Sequence, residues 1–328
     1  PGRSHGRTDP QLTKAMTSKF KSIRQVFPLL LAIVVLLGLF RIWVPQFLGL
    51  ENLLDLAQQI SVNAILAFGM TLVILIGGID LSVGAVVALI GTVTVAILAQ
   101  GGLAAGLLAG FGMAALFGVI NGVCAARTRM PPFIITLATM LVARGVALRF
   151  NEGRPLAVPD AETFFLALGN ARLFGFLPVP VLVMIVAFTM TAVLLHRTRF
   201  GQHLYAIGGN REAARFTGIP LARNEVIVYV ICSLLAGLAG IIHASQLYSA
   251  EPASGQGFEL NAIAAVVVGG TSFTGGIGTM RGTLIGAIII GILDKGLNQA
   301  GVHFSLQYIV KGVVVLTAVY LDVRRRKR

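Results

Sequence analysis

Ten stretches of the chain are apolar over close to the 20 residues that a helix needs to cross a hydrocarbon core. They are residues 27–45, 52–76, 84–100, 102–125, 133–150, 179–197, 225–247, 259–273, 282–298 and 306–323. None shows the alternation of a membrane β-strand, which faces lipid and lumen in turn over about 10 residues. The pattern predicts an all-α protein, a polytopic bundle of about ten spanning helices. The eighth and ninth stretches are short and glycine-rich. Gly106-x3-Gly110, Gly118-x3-Gly122 and Gly282-x3-Gly286 set small residues on one helix face, where they let neighbouring backbones approach. Residues 1–26 are expected to form a disordered tail, with Met16 as an alternative start, 27–323 the transmembrane domain, and 324–328 a basic tail. The first apolar run, from Phe27, is long and lacks an A-x-A site, so no cleavable signal peptide is expected.

Composition narrows the class. Hydrophobic residues make up 56% of the chain and charged residues 12%, against about 25% charged in a soluble domain. A soluble enzyme, a disordered chain and a disulfide scaffold are excluded. A net charge of +13 would suggest nucleic acid in a soluble chain, but here the charges are sorted. With the N-terminus inside, 19 of the 26 Lys and Arg residues fall on inner segments: 1–26, Arg127 and Arg129, 197–224, Arg281 and 324–328. Glu51, Glu152, Asp160, Glu162, Glu251 and Glu259 fall outside. Basic residues mark the cytoplasmic side, so both termini are expected there, and no nucleic-acid partner is implied. Cys124 and Cys232 lie within apolar stretches and read as packing residues, with no disulfide or metal.

Two segments interrupt the apolar pattern, Gly77-Gly78-Ile79-Asp80-Leu81-Ser82-Val83-Gly84 and Gly269-Gly270-Thr271-Ser272-Phe273-Thr274-Gly275-Gly276-Ile277-Gly278. Backbone that leaves the helix at membrane depth must be shielded by protein or line a wet cavity, and paired interrupted helices point to a transport path. Asn63-Ala64-Ile65 and Gly77-Gly78-Ile79 each recur 198 residues on, as Asn261-Ala262-Ile263 and Gly275-Gly276-Ile277, which suggests a weak internal repeat. Asp80 has three readings: a cap on the following helix, bonding near Ser82, a gating or interface group, or a direct substrate contact. Asn63, Asp80, Ser82, Asn261 and Thr271 are candidate path residues by polarity and position. Asp294 and Lys295 are expected near the outer end of their helix or facing the bundle interior, Glu259 in solvent, and His243 at an interface.

The longest inner loop, 197–224, contains Gly208-Gly209, read as a turn. Asn210 follows as an N-cap, Arg211 to Phe216 as a short helix with Glu212 in its first turn, and Gly218 as its stop. A capped helix between two spans is a knob that a soluble partner could grip.

Glu212-Ala213-Ala214-x3-Gly218 resembles the Glu-Ala-Ala-x3-Gly motif of bacterial ABC importer permeases, the segment that docks into the ATPase. Ile219-Pro220-Leu221 departs from the family's Ile-x-Leu-Pro ending. With Gly78–Gly84, Gly208-Gly209-Asn210 and Ala264–Ser272, the chain looks like the monosaccharide (ribose-type) branch of these permeases over about residues 27–323. The resemblance implies a transmembrane permease domain in the bacterial inner membrane, working as a homodimer with cytoplasmic ATPase subunits and a periplasmic sugar-binding protein. Gly208, Gly209, Asn210, Glu212, Ala213, Ala214 and Gly218 would form the ATPase-coupling loop. No cofactor is expected in this chain; ATP and Mg would sit on the partner ATPase, since no G-x-x-x-x-G-K-[ST] loop is present. No catalytic constellation or metal-ligand cluster is apparent, so the expectation is a transporter subunit and not an enzyme. Alternatives are a permease for branched-chain amino acids or nucleosides, and an ATPase-independent carrier or channel. The outer loop 151–178 carries no recognised motif.

Overall fold

The computed structural model describes residues 10–326. Its helices are α1 (Pro10–Trp43), α2 (Leu50–Leu75), α3 (Val83–Arg127), α4 (Pro132–Arg149), α5 (Thr163–Asn170), α6 (Val179–Arg197), α7 (Arg199–Gly209), α8 (Arg211–Phe216), α9 (Leu221–Gln246), α10 (Phe258–Val268), α11 (Met280–Gln299) and α12 (Phe304–Arg326). Among the described residues, five helices are long and apolar enough to cross a membrane: α2, α3, α4 with its extension to Gly153, α6 and α9. Phe27–Trp43, Phe258–Val268 and Phe304–Tyr320 are shorter apolar helices. α11 has 20 residues and carries Arg281, Asp294 and Lys295. Of the expected disordered tail, residues 1–9 lie outside the described residues, and the backbone is helical from Pro10. Of the basic C-terminal tail, 327–328 lie outside them and Arg324–Arg326 end α12.

α2 and the start of α3 form the centre. From Ser61 to Leu75 every residue of α2 except Asn63 is buried, and so is every residue of α3 from Val83 to Val95. α4, α6 and α12 surround this core and turn apolar side chains such as Leu141, Met190 and Leu316 outward. On a soluble protein so wide an apolar surface would be a liability; against lipid tails it is the expected finish.

α3 merges two of the expected spans, and Gly102 separates them. Its φ of 77° and ψ of 176° suit glycine, which has no Cβ to clash. The chain reverses there, so that residues 103–127 run back along 83–101. A Cβ on Gly106 would lie 2.7 Å from the Thr94 carbonyl oxygen. Gly118 and Gly122 press on α9, where a Cβ would lie 2.6 Å from the Cα of Val230 and of Val226 respectively. Gly122→Val is therefore expected to force α3 and α9 apart, an overpacking cost of about 1–3 kcal/mol or more, and to lower the thermal midpoint of the detergent-solubilised protein. Gly112→Val, which projects into open space on the same limb, should leave the midpoint within a degree or two.

One expected span is shorter than the pattern suggested. Residues 259–273 are helical only over the 11 residues of α10, a rise of about 16 Å, roughly half the thickness of a bilayer core. Non-helical chain precedes it. Ser249–Ala250 pairs antiparallel with Leu156–Ala157, and residues 251–257 then pass beside the start of α3, where Gly255 meets Gly84 backbone to backbone. This third irregular segment was not evident from hydropathy. Arg144 of α4 supplies what its backbone lacks, donating from Nη1 to the carbonyls of Pro252 (2.8 Å) and Ser254 (2.6 Å). Glu259, expected in solvent, stands instead against Gly84 and interacts electrostatically with Arg144.

The two breaks seen in the sequence share a geometry. After α2, Gly77 (φ 79°) donates to the Ile74 carbonyl and Gly78 to that of Val73; after α10, Gly270 (φ 89°) donates to Val267 and Thr271 to Val266. Both are left-handed glycine caps that satisfy the last carbonyls of a helix. The matching caps are thus Gly77 and Gly270, whereas the sequence repeat aligned Gly77 with Gly275, because α10 closes sooner after Asn261 than α2 does after Asn63.

Candidate functional site

A cavity of about 850 Å³ opens between α2, α9, α10, α11 and α12. It lies toward the end of the bundle where α2 begins, since Asp55, Gln58 and Asn63 line it from the first half of that helix. Ligand pockets commonly have 300–1,000 Å³ of such space. Asn63 and Asn261, candidates from sequence, both line it. Asn261 donates from Nδ2 to Asp294 Oδ2 (3.2 Å), and Asp294 Oδ1 pairs with Lys311 Nζ at 3.0 Å. Lys311 also lies 5.9 Å from the centre of the Tyr308 ring. The buried Asn63 Oδ1 and Gln246 Nε2 have no hydrogen-bond partner among the described residues. One is an acceptor and the other a donor, each on a residue that lines the cavity. A buried polar atom without a partner calls for a water or a ligand.

Asp80, Ser82 and Thr271 do not line this cavity. Asp80 and Ser82 sit in the break before α3. Asp80 Oδ1 accepts from the Ser82 backbone N–H (2.9 Å) and from Ser82 Oγ (2.6 Å). Asn121 Nδ2 donates to Ser82 Oγ (2.9 Å), and Thr139 Oγ1 donates to Asn121 Oδ1 (2.6 Å). This chain of bonds ties the break to α4 and the second limb of α3. The bond to Ser82 N–H is local, and α3 starts at Val83 instead of Leu81. Asp80→Asn keeps an acceptor for both donors from Ser82, so the folded yield should be close to normal while uptake falls more than yield. Equal losses of yield and uptake would assign Asp80 to folding alone. Asp80→Ala, which orphans buried donors at about 1–3 kcal/mol, should lower the yield itself.

Thr271 is buried in the second break, against Gly278. There Gly276 donates its backbone N–H to the Leu75 carbonyl at 2.8 Å, joining the end of α2 to the second break.

The coupling-loop candidates gather at the far end of α2. Gly208 and Gly209 were expected to form a turn, but they close the last turn of α7. This helix was missed because its 11 residues are amphipathic and short, with only Gly201, Leu204 and Ile207 buried. Thr198 caps its start, its side chain accepting from the Gly201 N–H. Tyr205 donates to the Gly278 carbonyl at 2.7 Å, and burial holds its phenol above the usual range, so it remains a donor. Asn210 ends α7 and caps α8, accepting from the Ala213 N–H at 2.9 Å. α8 spans Arg211–Phe216, and Gly218 follows at φ 78°. Glu212 and Ala213 are exposed, as is Phe216 (86%), while Ala214 is buried against the bundle. Arg211 forms an ion pair with Glu225 of α9, which sequence reasoning passed over as the start of a span. That pair clamps α8 to the bundle.

With this geometry in hand, comparison with known proteins decides the class. A family model described as branched-chain amino acid transport system / permease component matches residues 52–319. The chain belongs to this family. This permease is 42% identical over 317 residues to a ribose import permease of Bacillus subtilis (strain 168), covering 96% of this chain and 98% of the relative. It is 44% identical over 306 residues to the ribose import permease of Escherichia coli (strain K12), covering 90% and 93%. It is 36% identical over 309 residues to the L-arabinose transport system permease of the same strain, covering 94% and 93%. No solved structure matches the chain. The permease is a multi-pass inner-membrane transporter subunit of the ABC importer class and not an enzyme; ATP hydrolysis resides on a separate chain.

Proposed function

We propose that this permease carries a monosaccharide of the pentose class inward, as part of a binding-protein-dependent importer. The observation that carries the proposal is the cavity wall, where the Asn63 acceptor and the Gln246 donor stand without partners beside the Asp294–Lys311–Asn261 cluster. A sugar hydroxyl both donates and accepts, so a polyol offers the complement of either atom. The relatives named for ribose and L-arabinose support the same substrate class.

In this reading the chain crosses the membrane ten times, with both termini in the cytoplasm. The sorting of basic residues supports that orientation, which sets the cavity toward the outer face and α8 in the cytoplasm. Two permeases pair, each with one ATPase bound at α8, and ATP and Mg are held by the ATPase. A loaded binding protein docks from outside and delivers sugar into the cavity. Because a ligand of equal affinity for both states shifts nothing, the work comes from ATP closing the two ATPases. The Asp80 and Thr271 segments rearrange as that motion arrives.

The test is a mild-detergent purification of the tagged chain from its native membrane, followed by reconstitution with the proteins recovered. Equal amounts of an ATPase subunit, and uptake of labelled ribose or arabinose that requires both ATP and the binding protein, are the expected results. Sugar uptake by the chain alone would turn the reading to a carrier. Uptake of leucine in place of sugar would favour an amino acid, with Asp294 and Lys311 meeting its two charges.

A further inference from the structure

We propose that Gly208 of α7 is a transmission point between the ATPase-facing helix and both interrupted segments of the permease, so that its missing side chain is a requirement of coupling. This inference rests on the importer reading and names the step by which motion at α8 reaches the sugar path.

Three backbones meet at this point with no side chain between them. A Cβ on Gly208 would overlap the Leu75 carbonyl oxygen at the end of α2 and the Gly276 N–H of the second break. A Cβ on Gly275 would lie 2.9 Å from Leu75 O, 3.0 Å from Gly77 N and 3.1 Å from Gly208 Cα. One on Gly276 would lie 2.7 Å from Gly209 N and 2.8 Å from Gly209 Cα. The Gly276 N–H to Leu75 C=O bond and the Tyr205 O–H to Gly278 C=O bond lock the three together. Flexible side chains could absorb a displacement by changing rotamer. Backbones in direct contact cannot, and packed interiors transmit strain because they compress little.

The lever is short at both ends. Between Gly208 and the first residue of α8 lie only Gly209 and the shared cap Asn210, and Arg211 is pinned to Glu225. A tilt of α8 therefore moves Gly208, which pushes Leu75 at one break and Gly276 at the other. From Leu75 the rigid α2 leads to Asn63 on the cavity wall, twelve residues back and so about 18 Å away along the helix. The arrangement gives one small motion two outputs, the floor of the cavity through α2 and the second break through Gly276.

Spatial continuity alone does not establish coupling, so the test measures it. The complete transporter, with ATPase and binding protein, is reconstituted in liposomes carrying the wild-type permease, Gly208→Ala, Tyr205→Phe, or the lipid-facing control Gly145→Ala, whose Cβ meets open space. Assembly with the ATPase and sugar molecules imported per ATP hydrolysed are both read. For Gly208→Ala the expected result is wild-type assembly with a ten-fold or greater fall in sugar per ATP, while Gly145→Ala stays within two-fold. Wild-type assembly with sugar per ATP also within two-fold for Gly208→Ala would overturn the proposal. Should Gly208→Ala fail to assemble, Tyr205→Phe decides, since it keeps the ring and removes one bond of the junction. A three-fold or greater fall supports transmission, and a smaller change overturns it. Absence of ATP-driven uptake by the wild-type chain would remove the importer reading itself, an outcome distinct from variants that match an active wild type.

Discussion

Asp294→Leu is expected to lower the folded yield and abolish uptake, and adding Lys311→Met is expected to restore the yield without restoring uptake. The Asp294 side chain is 12% exposed and that of Lys311 24%. Removing one partner of a buried pair leaves an uncompensated charge, at about 3–5 kcal/mol when burial is complete. The open cavity beside this pair lowers the figure, but even about 1.4 kcal/mol shifts an equilibrium ten-fold. Replacing both partners with apolar side chains removes the orphan, and such exchanges are often neutral or stabilising. The cavity would then have lost the two charges and the acceptor that orients Asn261. Size-exclusion recovery and labelled-sugar uptake, measured on the same preparations, separate the two effects. Wild-type uptake by the double variant would reduce the pair to a structural role and remove it from the sugar path.

Glu212→Lys should leave the permease folded and disconnect it from its ATPase. Glu212 is exposed in the first turn of α8, where an acidic side chain favours the helix by about 0.3–1 kcal/mol. Reversing the charge costs the helix little, because α8 is also held by the Asn210 cap and the Arg211–Glu225 pair. The expected reading is wild-type recovery of permease, loss of co-purifying ATPase, and uptake reduced ten-fold or more. Arg211→Ala should behave in the opposite way and lower permease recovery, since it strands the buried Glu225. Equal ATPase recovery and normal uptake by Glu212→Lys would refute docking at α8.

The long apolar stretches could be read because a membrane helix satisfies its own backbone and needs only lipid-compatible side chains. α2, α4, α6 and α9 fall where hydropathy put them. The Asn210 cap and α8 were equally legible, since capping depends on residues a few positions apart. What could not be read was whatever depends on a distant partner. Nothing near Gly208 distinguishes a glycine in a turn from one that admits a neighbouring backbone, because the neighbours are Leu75 and Gly276. The segment 251–257 shows no apolar periodicity, and its support comes from Arg144, more than a hundred residues earlier. At the cavity, Asn63 and Asn261 stood out by their repeat, whereas Gln246 and Lys311 joined them only through packing. Asp294 carried a usable signal, since ionisable residues within membrane helices default to functional candidates.

The bonds from Arg144 to Pro252 and Ser254 also bear on how the protein is made. A stretch of extended backbone cannot rest in hydrocarbon by itself, because each unserved polar group costs several kcal/mol. In the ten-span reading proposed above, residues 251–257 enter the membrane where α3 already offers Gly84 and α4 already offers its guanidinium. Both are synthesised earlier, so a docking site is waiting when this segment leaves the ribosome. α10 hangs from the end of that segment, and α11 and α12 follow it. The last quarter of the chain is thereby committed to assemble onto earlier helices, and the cavity, whose walls come from α2 and α9 as well as from α10 to α12, is among the last features to form.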